Sequence, residues 1–422
     1  MQREYVLALE SKLKKIRSAS KKLRLSPVDL RNEVLKIAAD LLISQQSHIL
    51  KANQKDLKAL PKDTPPSFKD RLMLDATRIE HMSIGLKQVA DLADTLSGES
   101  ENRILENGLR LKKIRSPLGV IFMIFESRPN VAIEAFSMGF KSGNAMILRG
   151  GKESQNTVSV LYTILKKSLL KVGLPADVLW GITDSDRKIV NNLLKQKEYL
   201  DVVVPRGGES LINFVVKNSL IPIIKNDRGL CHVYIHSDAD LDMALRILVN
   251  AKTQRPGVCN SMETILVHAS VAEALLPKVH TAMLPFHEKW FADKKAISIL
   301  KGNANVKAAT EKNWSTEYLD QIVNCKVVSS IDEAISHIEQ YGSKHSESIV
   351  TASELAARKF QQEIDAAVVY WNASTRFTDG FEFGLGGELG ISTQKLHVRG
   401  PVGVLALTNE RWIVDGTGQT RK

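Results

Sequence analysis

The stretch GVIFMIFESRPNVAIEAFSMGFKSGNAMILRGGK, residues 119–152, decides the fold class. It opens with an apolar run at 119–125, continues with apolar residues at helical spacing over 132–141, and ends in a second apolar run at 145–149. Short apolar runs between turn residues are typical of buried strands, and apolar residues three or four positions apart are typical of helices. The stretch therefore predicts a strand, a helix and a second strand.

The same alternation continues along the chain. We predict helices over 156–172, 187–196 and 210–216, and strands over 178–182, 201–205, 221–225 and 231–236. Strands that alternate with helices predict a parallel sheet with crossover helices, so the predicted fold class is α/β. Nucleotides and other ligands of such sheets bind at the carboxyl ends of the strands.

A hairpin is predicted before this sheet. Asn107-Gly108 separates RILE from LRLKKI, and Asn-Gly readily accepts the two positive φ angles of a type I′ turn. We therefore expect a two-stranded hairpin over about 103–116, after a helical N-terminal region. An exposed strand edge pairs with another chain or aggregates, so we hypothesise that the hairpin makes an oligomer contact.

A second α/β region begins near Cys231. A helix that ends at Pro256-Gly257 is followed by the predicted strand METILVH at 262–268, so Cys259 lies in the loop between them. Further along the chain, the glycine-rich stretch FGLGGELG at 383–390 predicts a surface loop rather than a phosphate-binding loop.

The bulk composition favours a globular protein in a reducing compartment. The 422 residues are 43% hydrophobic and 25% charged, and no apolar run approaches the roughly 18 residues that span a bilayer. The three cysteines form no CxxC or CxxH spacing and the histidines form no HExxH pattern, which disfavours a disulfide framework and a metal site. We therefore expect a cytoplasmic protein with no metal and no membrane segment.

The first 25 residues are strongly basic. They contain eight lysines and arginines and two glutamates. The net charge of this segment is therefore more than half of the formal net charge of +11. Leu9, Leu13 and Ile16 recur at helical spacing, so we interpret the segment as a solvated amphipathic helix whose deletion leaves activity intact. The alternative is a transit peptide or a nucleic-acid-binding arm, although acidic residues interrupt the charge and no stacking aromatic residues alternate with it.

Cysteine is the most informative residue type, because a thiolate is both a strong nucleophile and a good leaving group. Cys259 follows Lys252 and Arg255, and nearby cations lower the pKa of a thiol. Cys231 begins an apolar strand and Cys325 precedes another apolar segment, so both are interpreted as structural. From the residues alone, a buried structural cysteine is the alternative for Cys259 as well.

Two strand ends could meet a phosphate group. Gly207 and Gly208 follow the strand DVVVP and precede a helix, where free backbone amides bind anions. The corresponding end of the strand AMILR carries Arg149, two glycines and Lys152. No GxGxxG fingerprint follows an early strand. Two such ends on one sheet favour a phosphate-bearing ligand, and a pair of tight turns is the alternative.

Longer stretches carry a family resemblance. They are SPLGVIFMIFESRPNVAIEAF at 116–136, VPRGGESLINFV at 204–215, DADLDMALRILVNAKTQRPGVCNSMETILVH at 238–268 and FGLGGELGISTQKLHVRGPVG at 383–403. They closely resemble the γ-glutamyl phosphate reductases of the aldehyde dehydrogenase superfamily, from about residue 27 onward. The resemblance implies an aldehyde dehydrogenase-like fold with an NADP-binding domain at 1–230, a catalytic domain at 231–382, and a segment at 383–422 that returns to the cofactor domain and a small oligomerisation element.

The resemblance also implies the site. Cys259 in RPGVCNSMET matches the catalytic cysteine of the family. Gly207 and Gly208 are expected against the nicotinamide cofactor, NADPH or NADP, and Lys152 and Arg149 near the adenosine ribose. The implied activity is the reduction of L-glutamyl 5-phosphate to L-glutamate 5-semialdehyde in proline biosynthesis, by a homo-oligomer that associates functionally with glutamate 5-kinase.

We expect specific roles in the reaction for two asparagines. Asn130 in ESRPN is a candidate side-chain donor to the oxyanion, with a simple helix cap as the alternative. Hydrolytic aldehyde dehydrogenases place a Glu-Leu-Gly-Gly motif twelve residues before an Asp-Ala-Asp segment, and the same count back from Asp238 gives Asn226 here. An amide cannot accept a proton from water, so we expect a thioester at Cys259 to persist.

Two other functions are compatible with parts of the sequence. One is an NAD(P)-dependent dehydrogenase that acts on a different aldehyde. The other is a basic nucleic-acid-binding protein that keeps a dehydrogenase-like fold without catalysis, for which salt-dependent RNA binding would be the signature.

Overall fold

The computed structural model describes residues 2–126, 128–184, 186–225 and 228–421. The chain forms two compact units. Unit 1 comprises Met1–Lys225, Gly384–Gly390 and Val402–Lys422, and unit 2 comprises Asn226–Phe383 and Ile391–Pro401. Each unit contains a parallel sheet with helices between its strands, so the predicted α/β fold class is confirmed.

The helices of the described residues are numbered in chain order. They are α1 Gln2–Arg24, α2 Val28–Ser44, α3 Gln46–Lys58, α4 Pro66–Leu72, α5 Ala76–Asp91, α6 Asn130–Lys141, α7 Gln155–Lys171, α8 Arg187–Leu193, α9 Glu209–Asn218, α10 Leu241–Thr253, α11 Ala269–Met283, α12 Lys294–Ile299, α13 Glu311–Trp314, α14 Ile331–Tyr341 and α15 Glu354–Glu363. Short 3-10 helices cover Lys152–Ser154, Ala176–Val178, Leu284–Phe286, Thr375–Phe377 and Leu405–Leu407.

The strands are numbered in the same way. They are β1 Glu99–Ile104, β2 Arg110–Pro117, β3 Val120–Phe125, β4 Ala145–Arg149, β5 Leu179–Ile182, β6 Val202–Arg206, β7 Cys231–Ile235, β8 Met262–His268, β9 Lys289–Ala292, β10 Val306–Ala308, β11 Ile322–Val328, β12 Ser346–Val350, β13 Val368–Trp371, β14 Ile391–Ser392, β15 Gly400–Pro401 and β16 Thr408–Asp415.

The main sheet of unit 1 is parallel and has the order β5-β4-β3-β6. Every residue of β3 is buried, because this strand lies between two others and carries only apolar side chains. One predicted strand is wrong. Residues 221–225 form only an isolated bridge between Val203 and Ile223, since Pro222 has no N–H to donate to a ladder.

The basic N-terminal segment forms α1, and its apolar side is part of the core of unit 1. Leu13 and Ile16 are buried and belong to the same hydrophobic cluster as residues of β3. Lys12 pairs with Asp177 at 2.6 Å on the polar side of the helix. The interpretation of this segment as a helix is therefore confirmed, and its interpretation as a solvated helix is wrong, because its apolar side is buried. That its deletion leaves activity intact stays a prediction.

The predicted hairpin is present, and it is part of a larger sheet. β1 and β2 pair antiparallel, as Asn107-Gly108 predicts, and β16 pairs with the other edge of β2 along its whole length. The predicted hairpin is therefore confirmed, and the order β1-β2-β16 adds a third strand that the local pattern does not predict. The local pattern at 103–116 carries no information on a partner that lies 293 residues further along the chain.

Unit 2 contains a seven-stranded parallel sheet of order β10-β9-β11-β8-β7-β12-β13, and β14 and β15 form a small antiparallel pair. α10 begins after Asp240, whose carboxylate accepts hydrogen bonds from the N–H groups of Asp242 and Met243. The helix ends before Pro256, and β8 is the predicted strand METILVH. The predicted place of Cys259, between a helix and a strand, is therefore confirmed.

A search of the described helices for a membrane-spanning segment finds none with sufficient length and apolar character.

Candidate active site

The carboxyl edge of the unit 1 sheet brings together the residues predicted to bind the cofactor. In the strand register Ile124 of β3 pairs with Arg149 of β4 on one side, and Phe125 pairs with Arg206 of β6 on the other. Lys152 opens the 3-10 helix after β4. Gly207 and Gly208 follow β6 and directly precede α9. The strand-end placement inferred from the sequence is therefore present in the fold.

Glu126, which the sequence analysis missed, lies against the two glycines after β6. Its carboxylate accepts a hydrogen bond from the Gly208 N–H at 3.0 Å. A Cβ on Gly207 would lie 2.5 Å from the carboxyl carbon of Glu126, so this approach requires glycine. Gly208 is the N-cap of α9, and the amides at a helix N-terminus bind anions. The side chain of Glu126 thus occupies a hydrogen-bonding position at the N-terminus of α9.

Asn130 is the first residue of α6, and Pro129 occupies the N-cap position without a side-chain cap. The alternative that Asn130 caps the helix is therefore wrong. Its Nδ2 group donates to Glu134 Oε1 at 2.7 Å, one turn further along α6. An amide NH2 group has two donors, so this bond uses only part of its capacity.

Cys259 in unit 2 is partly exposed, and its main chain is tightly packed. A Cβ on Gly229 would overlap the carbonyl oxygen of Cys259. The same oxygen accepts a hydrogen bond from the Cys231 thiol at 3.2 Å. The Gly229 N–H in turn donates to Glu317 Oε1 at 2.8 Å. The residue predicted as nucleophile therefore has a position set by the segment that leads into β7.

The other two cysteines are buried, as their sequence context predicts. Cys231 and Cys325 have no exposed surface, and burial raises the pKa of each thiol. Cys325 belongs to the hydrophobic core that α10 and α11 share with the sheet. Because the thiolate is the reactive form, neither residue is suited to nucleophilic catalysis.

The two cations predicted near Cys259 have different surroundings. Lys252 is fully buried and pairs with the equally buried Glu263 at 3.1 Å, so its charge is compensated by a carboxylate. Arg255 is exposed. The surroundings of Lys252 therefore do not favour the expectation that it lowers the pKa of the Cys259 thiol. In a buried ion pair each charge interacts chiefly with its partner.

Arg376 is a second residue that the sequence analysis missed. Its guanidinium donates from Nη1 to the side-chain oxygen of Asn260, the residue after Cys259, and from Nε to Gln254 Oε1 at 2.8 Å. Arg376 and Asn260 are 116 positions apart, so no local sequence motif predicts their contact.

Asn226 lies outside the described residues, so its expected role stays a prediction. No group of three or more histidine, cysteine, aspartate or glutamate side chains that could hold a metal ion occurs within the described ranges.

Known proteins share the fold and much of the sequence of this chain. The family model described as "Aldehyde dehydrogenase family" matches residues 7–288. An engineered glycolyl-CoA reductase solved with bound NADP⁺ shares the fold alone, at 15% identity and a TM-score of 0.70, over 96% of each chain. The class that fold and match define is thus an aldehyde dehydrogenase-like α/β protein.

Nearer relatives have one name in common. A γ-glutamyl phosphate reductase of Limosilactobacillus reuteri is 46% identical over 409 residues, which are 97% of this chain and 98% of that protein. One of Caldanaerobacter subterraneus is 45% identical over 99% of this chain and 100% of that protein. The crystal structure of the γ-glutamyl phosphate reductase of Thermotoga maritima, 40% identical, covers 98% of this chain and 100% of its own with a TM-score of 0.94. The chain therefore belongs to the γ-glutamyl phosphate reductases within the aldehyde dehydrogenase family.

Proposed function

We propose that this protein reduces L-glutamyl 5-phosphate to L-glutamate 5-semialdehyde with NADPH in proline biosynthesis, with Cys259 as the nucleophile. Relatives named for this reaction align with nearly the whole chain, which supports the substrate. The observation that carries the choice of nucleophile is the difference in burial among the cysteines. Cys231 and Cys325 are fully buried, whereas Cys259 is partly exposed, and a nucleophile must reach its substrate.

In the proposed reaction the Cys259 thiolate attacks the γ-carbonyl carbon of the acyl phosphate. A carbon–sulfur bond forms, the carbon–oxygen bond to phosphate breaks, and phosphate leaves with the bonding electrons. Cys259 then carries a thioester. The nicotinamide, when bound, supplies the hydride that reduces this thioester. Cys259 regains its thiolate when the carbon–sulfur bond of the thiohemiacetal breaks and the aldehyde leaves.

The negative charge that develops on the carbonyl oxygen needs donors. We assign this role to the backbone N–H of Cys259 and to the side-chain amide of Asn130. Asn130 begins α6 immediately after the carboxyl end of β3, and its bond to Glu134 fixes the direction of the amide. Each oxyanion donor commonly contributes about a hundredfold or more to kcat.

The carboxyl edge of the unit 1 sheet suits a dinucleotide. Gly207 and Gly208 precede α9, and the hydrogen bond from the Gly208 N–H to the Glu126 side chain supports an anion site at this end of the helix. Arg149 ends β4 and Lys152 follows it, two strands away from β6 at the same edge of the sheet, where a cation would meet an additional phosphate on the ribose. We therefore assign the cofactor to this edge and the preference for NADPH to these two side chains.

The proposed fate of the thioester depends on the absence of a general base. The count from Asp238 gives Asn226 at the place where hydrolytic aldehyde dehydrogenases have glutamate. Base catalysis commonly contributes about a hundredfold or more to hydrolysis. Asn226→Glu should therefore gain phosphate-independent oxidation of the semialdehyde to glutamate. A folded variant that forms no more glutamate than the native protein would remove Asn226 from this role.

The proposal also covers the compartment, the oligomeric state and a partner enzyme. We propose a cytoplasmic homo-oligomer that associates functionally with glutamate 5-kinase, the enzyme class that makes an acyl phosphate. The sheet β1-β2-β16 supports an oligomer contact, because Ile104 on β1 and Val414 on β16 are exposed apolar side chains on its two outer strands.

The test is the reverse reaction. NADP should be reduced by L-glutamate 5-semialdehyde only when inorganic phosphate is present, and hydroxylamine should trap the acyl phosphate product as a hydroxamate. Phosphate-independent reduction of NADP would indicate a dehydrogenase instead. A preference for an unrelated aldehyde would assign a different substrate, and salt-dependent RNA binding without NADP reduction would favour the nucleic-acid alternative.

A further inference from the structure

Arg376 is a half-buried cation that forms no ion pair with the residues that the structure describes. It lies in the 3-10 helix Thr375–Phe377 after β13, and both of its hydrogen-bond acceptors, on Gln254 and Asn260, are neutral amides. Within the part of the chain that the structure describes, no carboxylate forms an ion pair with this guanidinium, and its Nη2 group has no bonded partner.

The surroundings of Arg376 leave its charge incompletely compensated. Burial lowers the pKa of the Arg376 guanidinium, and the nearby positive charge of Arg255 lowers it further. The negative charges of Asp379 and Cys259 act in the opposite direction. A partly desolvated charge costs free energy unless a counter-charge compensates for it. An anionic ligand at this place would supply that counter-charge.

The loop of Arg376 is fastened to the loop of Cys259. Asn260, next to Cys259, donates from Nδ2 to the Thr378 carbonyl at 2.8 Å, and Thr375 Oγ1 donates to the Asn260 carbonyl at 2.7 Å. Together with the bond from Arg376 to the Asn260 side chain, these contacts hold the guanidinium beside the residue that follows the nucleophile.

We infer that Arg376 binds an oxyanion group of the substrate next to Cys259. A planar guanidinium binds both phosphate and carboxylate oxygens, and L-glutamyl 5-phosphate has one group of each kind. This inference rests on the proposed function and adds a residue that selects an anionic substrate. Its partner is the acyl phosphate or the α-carboxylate, and the kinetic experiment below distinguishes the two.

The first experiment needs no turnover. Iodoacetate is an anion and iodoacetamide is its neutral counterpart, and mass spectrometry reports the alkylation of Cys259 by each. We expect the ratio of the iodoacetate rate to the iodoacetamide rate to fall about tenfold in Arg376→Ala, the usual scale for a charged hydrogen bond. Arg376→Lys, which keeps the charge, should retain most of the ratio, and Arg358→Ala, which removes an exposed arginine of α15, should retain all of it.

The second experiment identifies the bound group. In the reverse assay, a higher KM for inorganic phosphate in Arg376→Ala, with the KM for semialdehyde unchanged, assigns the acyl phosphate. A higher KM for semialdehyde alone assigns the α-carboxylate. A merely structural role of Arg376 would lower kcat or stability without raising either KM and without changing the alkylation ratio.

The outcomes separate this inference from the function on which it rests. An unchanged alkylation ratio together with unchanged KM values in Arg376→Ala overturns the role of Arg376 and leaves the reductase assignment intact. A native protein that shows no phosphate-dependent reduction of NADP overturns the proposed function, and a Cys259 that resists both reagents overturns its role as nucleophile and the inference with it.

Discussion

Gly229 and the carbonyl oxygen of Cys259 are in such close contact that no side chain fits at position 229. The oxygen is also the acceptor for the Cys231 thiol at 3.2 Å. The backbone of the proposed nucleophile is therefore positioned by a segment that precedes it by about one strand and one helix. A shift of the Cys259 carbonyl away from Gly229 would also change the orientation of the thiol.

Gly229→Ala should lower kcat at least about a hundredfold, because a misplacement of about 1 Å at a reacting group can cost that much. The added methyl group must displace the Cys259 carbonyl. Gly257→Ala in the same loop is the matched control, since its Cβ would make only an ordinary contact of 3.7 Å with the Leu319 carbonyl. Equal activity of the two variants would contradict the positioning role of Gly229.

Cysteine substitutions should separate chemistry from stability. Cys259→Ser should abolish turnover without a change in the free energy of unfolding, because a serine hydroxyl is not ionised at neutral pH. Cys325→Ser should retain turnover and lose about 1–3 kcal/mol, because a hydroxyl group replaces a fully buried thiol. Steady-state rates and urea denaturation measure the two effects. Loss of turnover in Cys325→Ser with normal stability would contradict a structural role.

Lys152→Ala and Arg149→Ala should each reduce the preference for NADPH over NADH. The expected loss in the ratio of kcat/KM values is about tenfold, the usual scale for one charged hydrogen bond. Lys171→Ala, at the other end of α7, removes an exposed lysine and serves as the control. A preference that survives both substitutions would move the site of the ribose phosphate elsewhere.

Ile16→Ala should destabilise the protein by about 2–5 kcal/mol, because this side chain of α1 is fully buried in the core of unit 1. Lys15→Ala, one residue earlier on the exposed side of the helix, should change the free energy of unfolding by less than about 0.5 kcal/mol. Chemical denaturation compares the variants. Similar stability of both would restore the interpretation of the segment as a solvated helix.

Glu288 should make the stability depend on pH. Its side chain is 1% exposed, and neither carboxylate oxygen has a hydrogen-bond partner in the described part of the chain. Burial raises the pKa of Glu288 to about 8. The folded protein therefore keeps a proton that the unfolded chain releases near pH 4.5, and the free energy of unfolding falls by up to about 1.4 kcal/mol per pH unit from there to about pH 8.

Glu288→Gln removes this titration, so the variant should gain stability relative to the native protein as the pH rises through that window. Above about pH 8 the difference should stay constant. Denaturation curves from pH 5 to pH 9 measure it, with Glu339→Gln at an exposed position as the control. A constant difference between Glu288→Gln and native protein over the whole window would show that the carboxylate is charged in the fold.

The alternation of strands and helices could be predicted from the sequence because it depends on local periodicity. The stretch at 119–152 contains β3, α6 and β4, each with an uninterrupted apolar pattern. The apolar run at 221–225 misled the same reasoning, since its hydrophobicity reflects burial beside β6 and not membership of the sheet. Hydrophobic pattern thus reports burial more directly than hydrogen-bond pairing.

The site could be predicted only where one residue type carries the chemistry. Cys259 is a candidate from its residue type and its loop with glycine and proline, but its assignment as nucleophile comes from the resemblance of RPGVCNSMET to the family motif and stays a prediction. Glu126 and Arg376 are ordinary charged residues whose surroundings come from distant segments, 82 and 116 positions away. Their significance depends on strand order and loop contacts, which local sequence does not encode.

The pairing of β2 with β16 also sets an order of events during synthesis. The ribosome makes Arg110–Pro117 early and Thr408–Asp415 only after every residue of unit 2 has been synthesised. Until then, the N–H and C=O groups on one side of β2 have no partner within the nascent chain. An open strand edge of this kind attracts other chains. The nascent protein therefore passes through a period in which its own fold does not cover that edge.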